Sequence, residues 1–199
     1  MYLILVLIYT MEKFKLSNQF AVYKVKYIGD YSKEDFINRI FKNRELVLKK
    51  TNKGIDEKNF IIECDEFKSV DKFTISTLEE IEQRKIEKVA KFSWIYTQIR
   101  EETMVDMHKH DFLHYYTEKT KLKTDWTCVF YIQIPEGLRE QDGNIVFMTE
   151  DKKLHNFIPE ENDLLIFSGK LSHMITPIPN SEIDRIVYAS NFNFNLNNY

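Results

Sequence analysis

Past residue 90 the chain is cut into short β-prone runs, and this punctuation constrains the fold more than any other feature. The runs are "FSWIYTQI", "TMVDMHKH", "WTCVFYIQIP", "NIVFMT", "NFIP", "DLLIFS", "HMITPIP" and "RIVYASNFNF". Turn signals separate them: Pro135-Glu136-Gly137, Asp142-Gly143, Pro159, Gly169, Pro177 and Pro179. Short runs rich in β-branched and aromatic residues between such breakers read as strands. Eight of them within residues 92–194 predict a mainly β domain, a sandwich or a closed double sheet such as a jelly roll.

The segment before it has a different texture. From Met11 to Lys91 the chain is rich in Lys and Glu. "KEDFINRIFKNRELVLKK" places Phe36, Ile37, Ile40 and Phe41 at helical spacing. A second helix is predicted over 76–92, capped by Ser76 or Thr77, with Leu78, Ile81, Ile86 and Val89 as its apolar face. Between the two, "NFIIECDEF" reads as extended. The basic cluster Lys42, Arg44, Lys49, Lys50 and Lys53 reads as a solvated helix face, which leaves no strong nucleic-acid signal. The apolar opening "MYLILVLIYT" lacks the basic start and cleavage site of a signal peptide and is far short of a membrane span. Its preferred reading is an annotation extension ahead of a start at Met11, with a buried strand or a membrane anchor as the alternatives. The expected organisation is therefore an apolar leader at 1–10, a helical extension packing on the barrel at 11–91, and a β core at 92–199.

A composition of 43% hydrophobic and 14% aromatic residues supports a packed core. A net charge of −3 gives no global attraction to nucleic acid or membrane surfaces. Cys64 and Cys128 are the only cysteines, so a disulfide scaffold is not expected and a reducing, cytoplasmic setting (the host's, if the chain is viral) fits.

Histidine is scarce, yet "MHKHDF" sets His108 and His110 two positions apart. On a strand, residues i and i+2 face one side, so both imidazoles would converge. His173 opens a late run, and a double sheet brings early and late strands together. Three convergent imidazoles can hold a divalent metal and leave coordination positions open. Arg185 follows twelve residues after His173. A guanidinium on a barrel wall needs an anionic partner, and a ligand carboxylate can be matched by two parallel hydrogen bonds.

In order and spacing, "HKH", "WTCVFYIQIP", "DGNIVF", "PEENDLLIFS", "LSHMITPIP" and "DRIVYASNF" resemble the iron(II)- and 2-oxoglutarate-dependent oxygenases, especially small phage and bacterial members. The resemblance covers residues 92–194. It implies a double-stranded β-helix and a dioxygenase that hydroxylates an unidentified substrate, consuming O2 and 2-oxoglutarate and releasing succinate and CO2. It implies His108 and His173 as iron ligands, Arg185 as the clamp on the distal carboxylate of 2-oxoglutarate, and Tyr131 as a second contact to that co-substrate. His110 stands where most of the superfamily has Asp or Glu. It is taken as the third ligand, with Asp106 and Asp111 as nearby carboxylates that could substitute. Asn162 stands where Gly is usual before Asp163, and Asn tolerates the positive φ such a turn needs. The loop "DFLHYYTEKTKLKT" follows the ligands, and Tyr115 and Tyr116 are its candidate substrate contacts. Two rivals stand beside this reading: a non-catalytic jelly-roll binding or structural protein, and a three-His cupin-type dioxygenase that does not use 2-oxoglutarate.

Overall fold

A computed structural model describes residues 10–29, 32–50, 59–60, 65–98, 104–111, 123–179 and 181–194. In chain order the elements are β1 (Met11–Lys15), β2 (Ala21–Lys26), α1 (Lys33–Lys50), β3 (Asn59–Phe60) and α2 (Asp65–Glu82). There follow β4 (Ala90–Gln98), β5 (Val105–His108), β6 (Trp126–Gln133), β7 (Ile145–Met148) and β8 (Leu154–Phe157). The last three are β9 (Asp163–Ser168), β10 (Ser172–Ile175) and β11 (Arg185–Asn193).

The strands form two antiparallel sheets. One has seven strands in the order β1-β2-β9-β6-β11-β4-β3, and the other has four in the order β5-β10-β7-β8. The large sheet is buried on both faces, which explains why its central strands read as nearly continuous apolar runs. On β6, Cys128, Phe130 and Ile132 face the helices, where Phe36 and Ile40 of α1 and Phe67, Val70 and Leu78 of α2 cover them. Val129 and Tyr131 face the other way and pack with Val187 of β11 against Ile145 and Phe147 of the small sheet. The functional groups described below line this second interior.

α1 is capped by Ser32, whose hydroxyl accepts from the Asp35 amide at 3.3 Å. Glu34 and Asp35 in its first turn complement the helix dipole. α2 is pinned to the sheet through Asp71, which accepts from Lys91 and from the Tyr188 hydroxyl. Phe67 stacks on Tyr188 with ring centroids 4.1 Å apart.

Two expectations about the first half are corrected. The region read as a helical extension also supplies strands: β1 and β2 form a hairpin, and β2 joins the main sheet by pairing Val22 with Phe167. Its apolar alternation is masked by lysines, whose stems lie along the sheet while Lys24 and Lys26 reach the buried Asp163 carboxylate. The second helix begins at Asp65 and ends at Glu82, not over 76–92. Thr74 and Thr77 donate back to the carbonyls of Val70 and Phe73 within the helix, so the predicted cap lies in its interior. Gln83 stops the helix with φ of 53°, and residues from Ala90 onward pair with β11. Asn162 takes φ of 67° ahead of Asp163, the conformation expected of it. No helix among the described residues is long and apolar enough to cross a membrane.

Candidate metal centre and carboxylate pocket

His173 and His108 face each other across neighbouring strands, paired directly between β10 and β5. His110 lies just past the end of β5. Its amide donates to the Gly169 carbonyl at 2.9 Å, which folds the chain back over the β9–β10 turn. Convergence therefore does not rest on a continuous strand: one histidine is placed by strand pairing and the other by this turn contact. The candidate ligand nitrogens of His108, His110 and His173 all lie within 4.8 Å of one another.

The three rings are held differently. His108 donates from Nδ1 to the Asp106 carbonyl at 2.7 Å, and His173 from Nδ1 to the Leu171 carbonyl at 3.2 Å. Each uses the carbonyl two residues earlier, and each then carries its lone pair on Nε2, the form that ligates a metal. His110 Nε2 lies 3.2 Å from His173 Nε2, and its Nδ1 lies 3.3 Å from the amide nitrogen of Asn191. Burial holds the His173 pKa well below the usual histidine range, and the neighbouring His110 and His108 push it the same way. His173 is thus a neutral imidazole at pH 7.

These residues fit a divalent metal. Nitrogens about 2.1 Å from one ion on a single face sit about 3 Å apart, so the observed spacings need only a modest closure. No carboxylate joins the three histidines among the described residues, and both Asp106 and Asp111 are exposed. Gly169 holds this geometry in a way that its reading as mere turn punctuation missed. A Cβ there would lie 2.8 Å from the His110 carbonyl oxygen and 2.6 Å from Thr124 Cγ2. Gly169→Ala is expected to destabilise the fold by about 1–3 kcal/mol, as overpacking does, and to weaken metal binding by displacing His110. Thermal unfolding alongside metal titration checks both effects.

A cavity of about 260 Å3 opens from the histidines between the two sheets. Its walls are mostly apolar and include Val105, Val129, Ile145, Ile175 and Val187. Trp94 also lines it and lies 5.5 Å from the His110 ring. Tyr131 lines it as well, and its ring carries the guanidinium of Arg185, with Cζ 4.9 Å from the centroid.

Arg185 is fully buried, yet none of its three guanidinium nitrogens has a hydrogen-bond partner among the described residues. The Tyr131 hydroxyl is equally buried and unpartnered. Burial raises the Tyr131 pKa and the nearby Arg185 charge opposes it, so the phenol stays protonated and able to donate. Leaving a charge buried and unpaired costs several kcal/mol. The pair can therefore meet an anion with at least two acceptor oxygens, such as a carboxylate.

Gln133 donates to the Asp184 carbonyl at 2.7 Å. A shift in the β6–β11 pairing between Ile186 and Val187 takes it out of register. Sequence reasoning also missed Asn191 and Thr127. Along β11, however, Arg185, Val187, Ala189 and Asn191 share one face by strand parity, and that signal was available. Tyr115 and Tyr116 lie outside the described residues.

No family model and no curated protein matches this chain. Solved structures do resemble it. The truncated viral collagen prolyl hydroxylase of Paramecium Bursaria Chlorella virus-1 aligns at 18% identity over 86% of this chain and 89% of its own, with a TM-score of 0.57. A Pseudomonas putida prolyl-4-hydroxylase aligns at 13% identity over 86% and 87%, with a TM-score of 0.53. HygX from Streptomyces hygroscopicus, solved with nickel and 2-oxoglutarate bound, aligns at 10% identity over 88% and 83%, with a TM-score of 0.55. The chain shares the fold of these solved structures across most of its length.

Proposed function

We propose that this protein is an iron(II)- and 2-oxoglutarate-dependent dioxygenase that hydroxylates a substrate. The observation that carries the reading is the buried Arg185, without a hydrogen-bond partner among the described residues, over the ring of Tyr131, which lines the same cavity as the three histidines. A small dicarboxylate needs such a charged anchor away from the metal. With iron(II), 2-oxoglutarate and O2 bound, the centre supplies the oxidising power for C–H hydroxylation, with succinate and CO2 as co-products. The chain's residues do the rest. His108, His110 and His173 would hold the metal. Arg185 and Tyr131 fix the distal carboxylate, and the apolar walls exclude water from the reacting region.

The two facing sheets are read as a double-stranded β-helix with its core at 92–199, in which β1 and β2 extend the larger sheet and α1 and α2 cover its outer face. The segment bearing Tyr115 and Tyr116 is proposed for substrate recognition because it follows His110 directly in sequence. Neither rival explains Arg185 as well. A structural barrel gains nothing from a buried, unmatched charge. A cupin-type enzyme without 2-oxoglutarate would need another anionic ligand at the same place.

The test is an oxygen-free titration of iron(II) and 2-oxoglutarate, watched for the weak visible absorption that appears only when both are bound together. The expected result is a saturable band at one equivalent of each, followed by succinate formation on admitting air. Iron binding with no band and no succinate would favour the three-His alternative. Binding of neither would favour the non-catalytic one.

A further inference from the structure

His108 and His173 are held by carbonyls of their own strand segments, but His110 lies beyond a strand end, and beside His173 one polar side-chain partner comes from 81 residues away. That partner is Asn191, 1% exposed on the inner face of β11, the strand between β6 and β4. Its own amide oxygen accepts from the buried Thr127 hydroxyl at 2.9 Å.

The hydrogen bonds among these groups are mutually consistent in one way. His173 gives its proton on Nδ1 to Leu171, so its Nε2 is an acceptor. The Nε2 of His110, 3.2 Å away, must then be the donor. His110 Nδ1 is left as an acceptor, and the Asn191 amide nitrogen 3.3 Å from it supplies the hydrogen. Without metal, His110 is the opposite tautomer from His108 and His173. To ligate through Nε2, it must carry its proton on Nδ1, and an amide nitrogen cannot accept that proton.

We propose that Asn191, backed by Thr127, is the positioning residue for His110, and that its side-chain amide turns over when metal binds. In the turned state Asn191 Oδ1 accepts from His110 Nδ1–H, and Asn191 Nδ2 donates to Thr127 Oγ1. A hydroxyl can serve as donor in one state and acceptor in the other, so both arrangements are satisfied. The proton leaves Nε2 and returns on Nδ1 through solvent exchange, with no net change in charge. Asn191 thereby ties His110 to a central strand. The assignment rests on the metal-centre reading with His110 as third ligand.

The experiment compares wild type with Asn191→Leu, Asn191→Asp and Thr127→Val, by two readouts. The first is the His110 side-chain nitrogen NMR pattern of the metal-free protein, which distinguishes the tautomers. The second is cobalt(II) affinity by calorimetry. Wild type is expected to show the Nε2–H form. Asn191→Leu should lose that bias and bind cobalt(II) about 10–100-fold more weakly, the usual cost of removing an outer-shell partner. Asn191→Asp offers only acceptors, so it should switch metal-free His110 to the Nδ1–H form and keep affinity near that of wild type. Thr127→Val should lie between wild type and Asn191→Leu. A merely structural role would weaken the Leu and Asp variants alike and leave the tautomer unmoved. An unchanged tautomer in both Asn191 variants overturns this proposal alone. Absence of cobalt(II) binding by the wild type overturns the metal-centre reading, and this proposal with it.

Discussion

Alanine at position 173 is expected to abolish stoichiometric iron(II) binding while the chain keeps its fold. His173 is the most buried of the three histidines, 3% exposed, and it faces His108 directly across the sheet. Its ring packs 4.9 Å from Phe167 and 6.1 Å from Phe147, so truncation leaves a small space with aromatic walls. Among the described residues, no carboxylate joins the two remaining histidines. The loss should therefore exceed the roughly 10–100-fold that removal of an outer-shell partner costs. Metal analysis of the reconstituted variant measures it, with circular dichroism to verify folding. Asp111→Ala is the matched control, because Asp111 is exposed and outside the histidine cluster. Unchanged iron stoichiometry in His173→Ala would remove this residue from the centre. Greater loss in Asp111→Ala than in His110→Ala would make the site an ordinary two-His, one-carboxylate triad.

The parts of this fold most legible in the sequence are those where one local rule suffices. β4, β6, β9 and β11 announce themselves as apolar runs because both of their faces are covered. α1 shows helical spacing at Phe36, Ile37, Ile40 and Phe41. The β1–β2 hairpin was hidden because its burial is shared with lysine stems, and its pairing partner β9 lies about 140 residues downstream. The boundary of α2 was misplaced because Thr77 fits a cap by residue type, while its hydroxyl is used inside the helix.

The candidate site divides in the same way. His108, His110, His173, Tyr131 and Arg185 stood out by type and order, and the structure gathers them around one cavity and its Tyr131 wall. Their supports did not stand out. Gly169 matters because of what a side chain would strike, and Asn191 because of which ring it meets. Both are facts of tertiary packing that no spacing along the chain encodes.

Arg185→Ala is expected to weaken 2-oxoglutarate binding strongly and leave iron affinity nearly unchanged. The guanidinium lies over the Tyr131 ring, fully buried, with no hydrogen-bond partner among the described residues. A buried arginine keeps its charge, so an incoming carboxylate meets donors whose desolvation is already complete. Removing a charge-assisted contact at such a site typically costs about 2–5 kcal/mol, on the order of 30- to several-thousand-fold in affinity. Lysine should rescue only part of this, because one ammonium cannot reproduce two parallel hydrogen bonds from a planar fork. Stability should move the other way. The ligand-free protein carries the penalty of an unmatched charge, so Arg185→Met, which keeps most of the volume, is expected to unfold at a higher temperature than wild type. Calorimetry of 2-oxoglutarate into the iron-loaded, oxygen-free proteins, paired with thermal melts of the ligand-free forms, tests both halves. Equal co-substrate affinity in wild type, Arg185→Ala and Arg185→Lys would reject 2-oxoglutarate as the anion this arginine awaits. A lower melting temperature for Arg185→Met would mean that the guanidinium stabilises the fold in its own right.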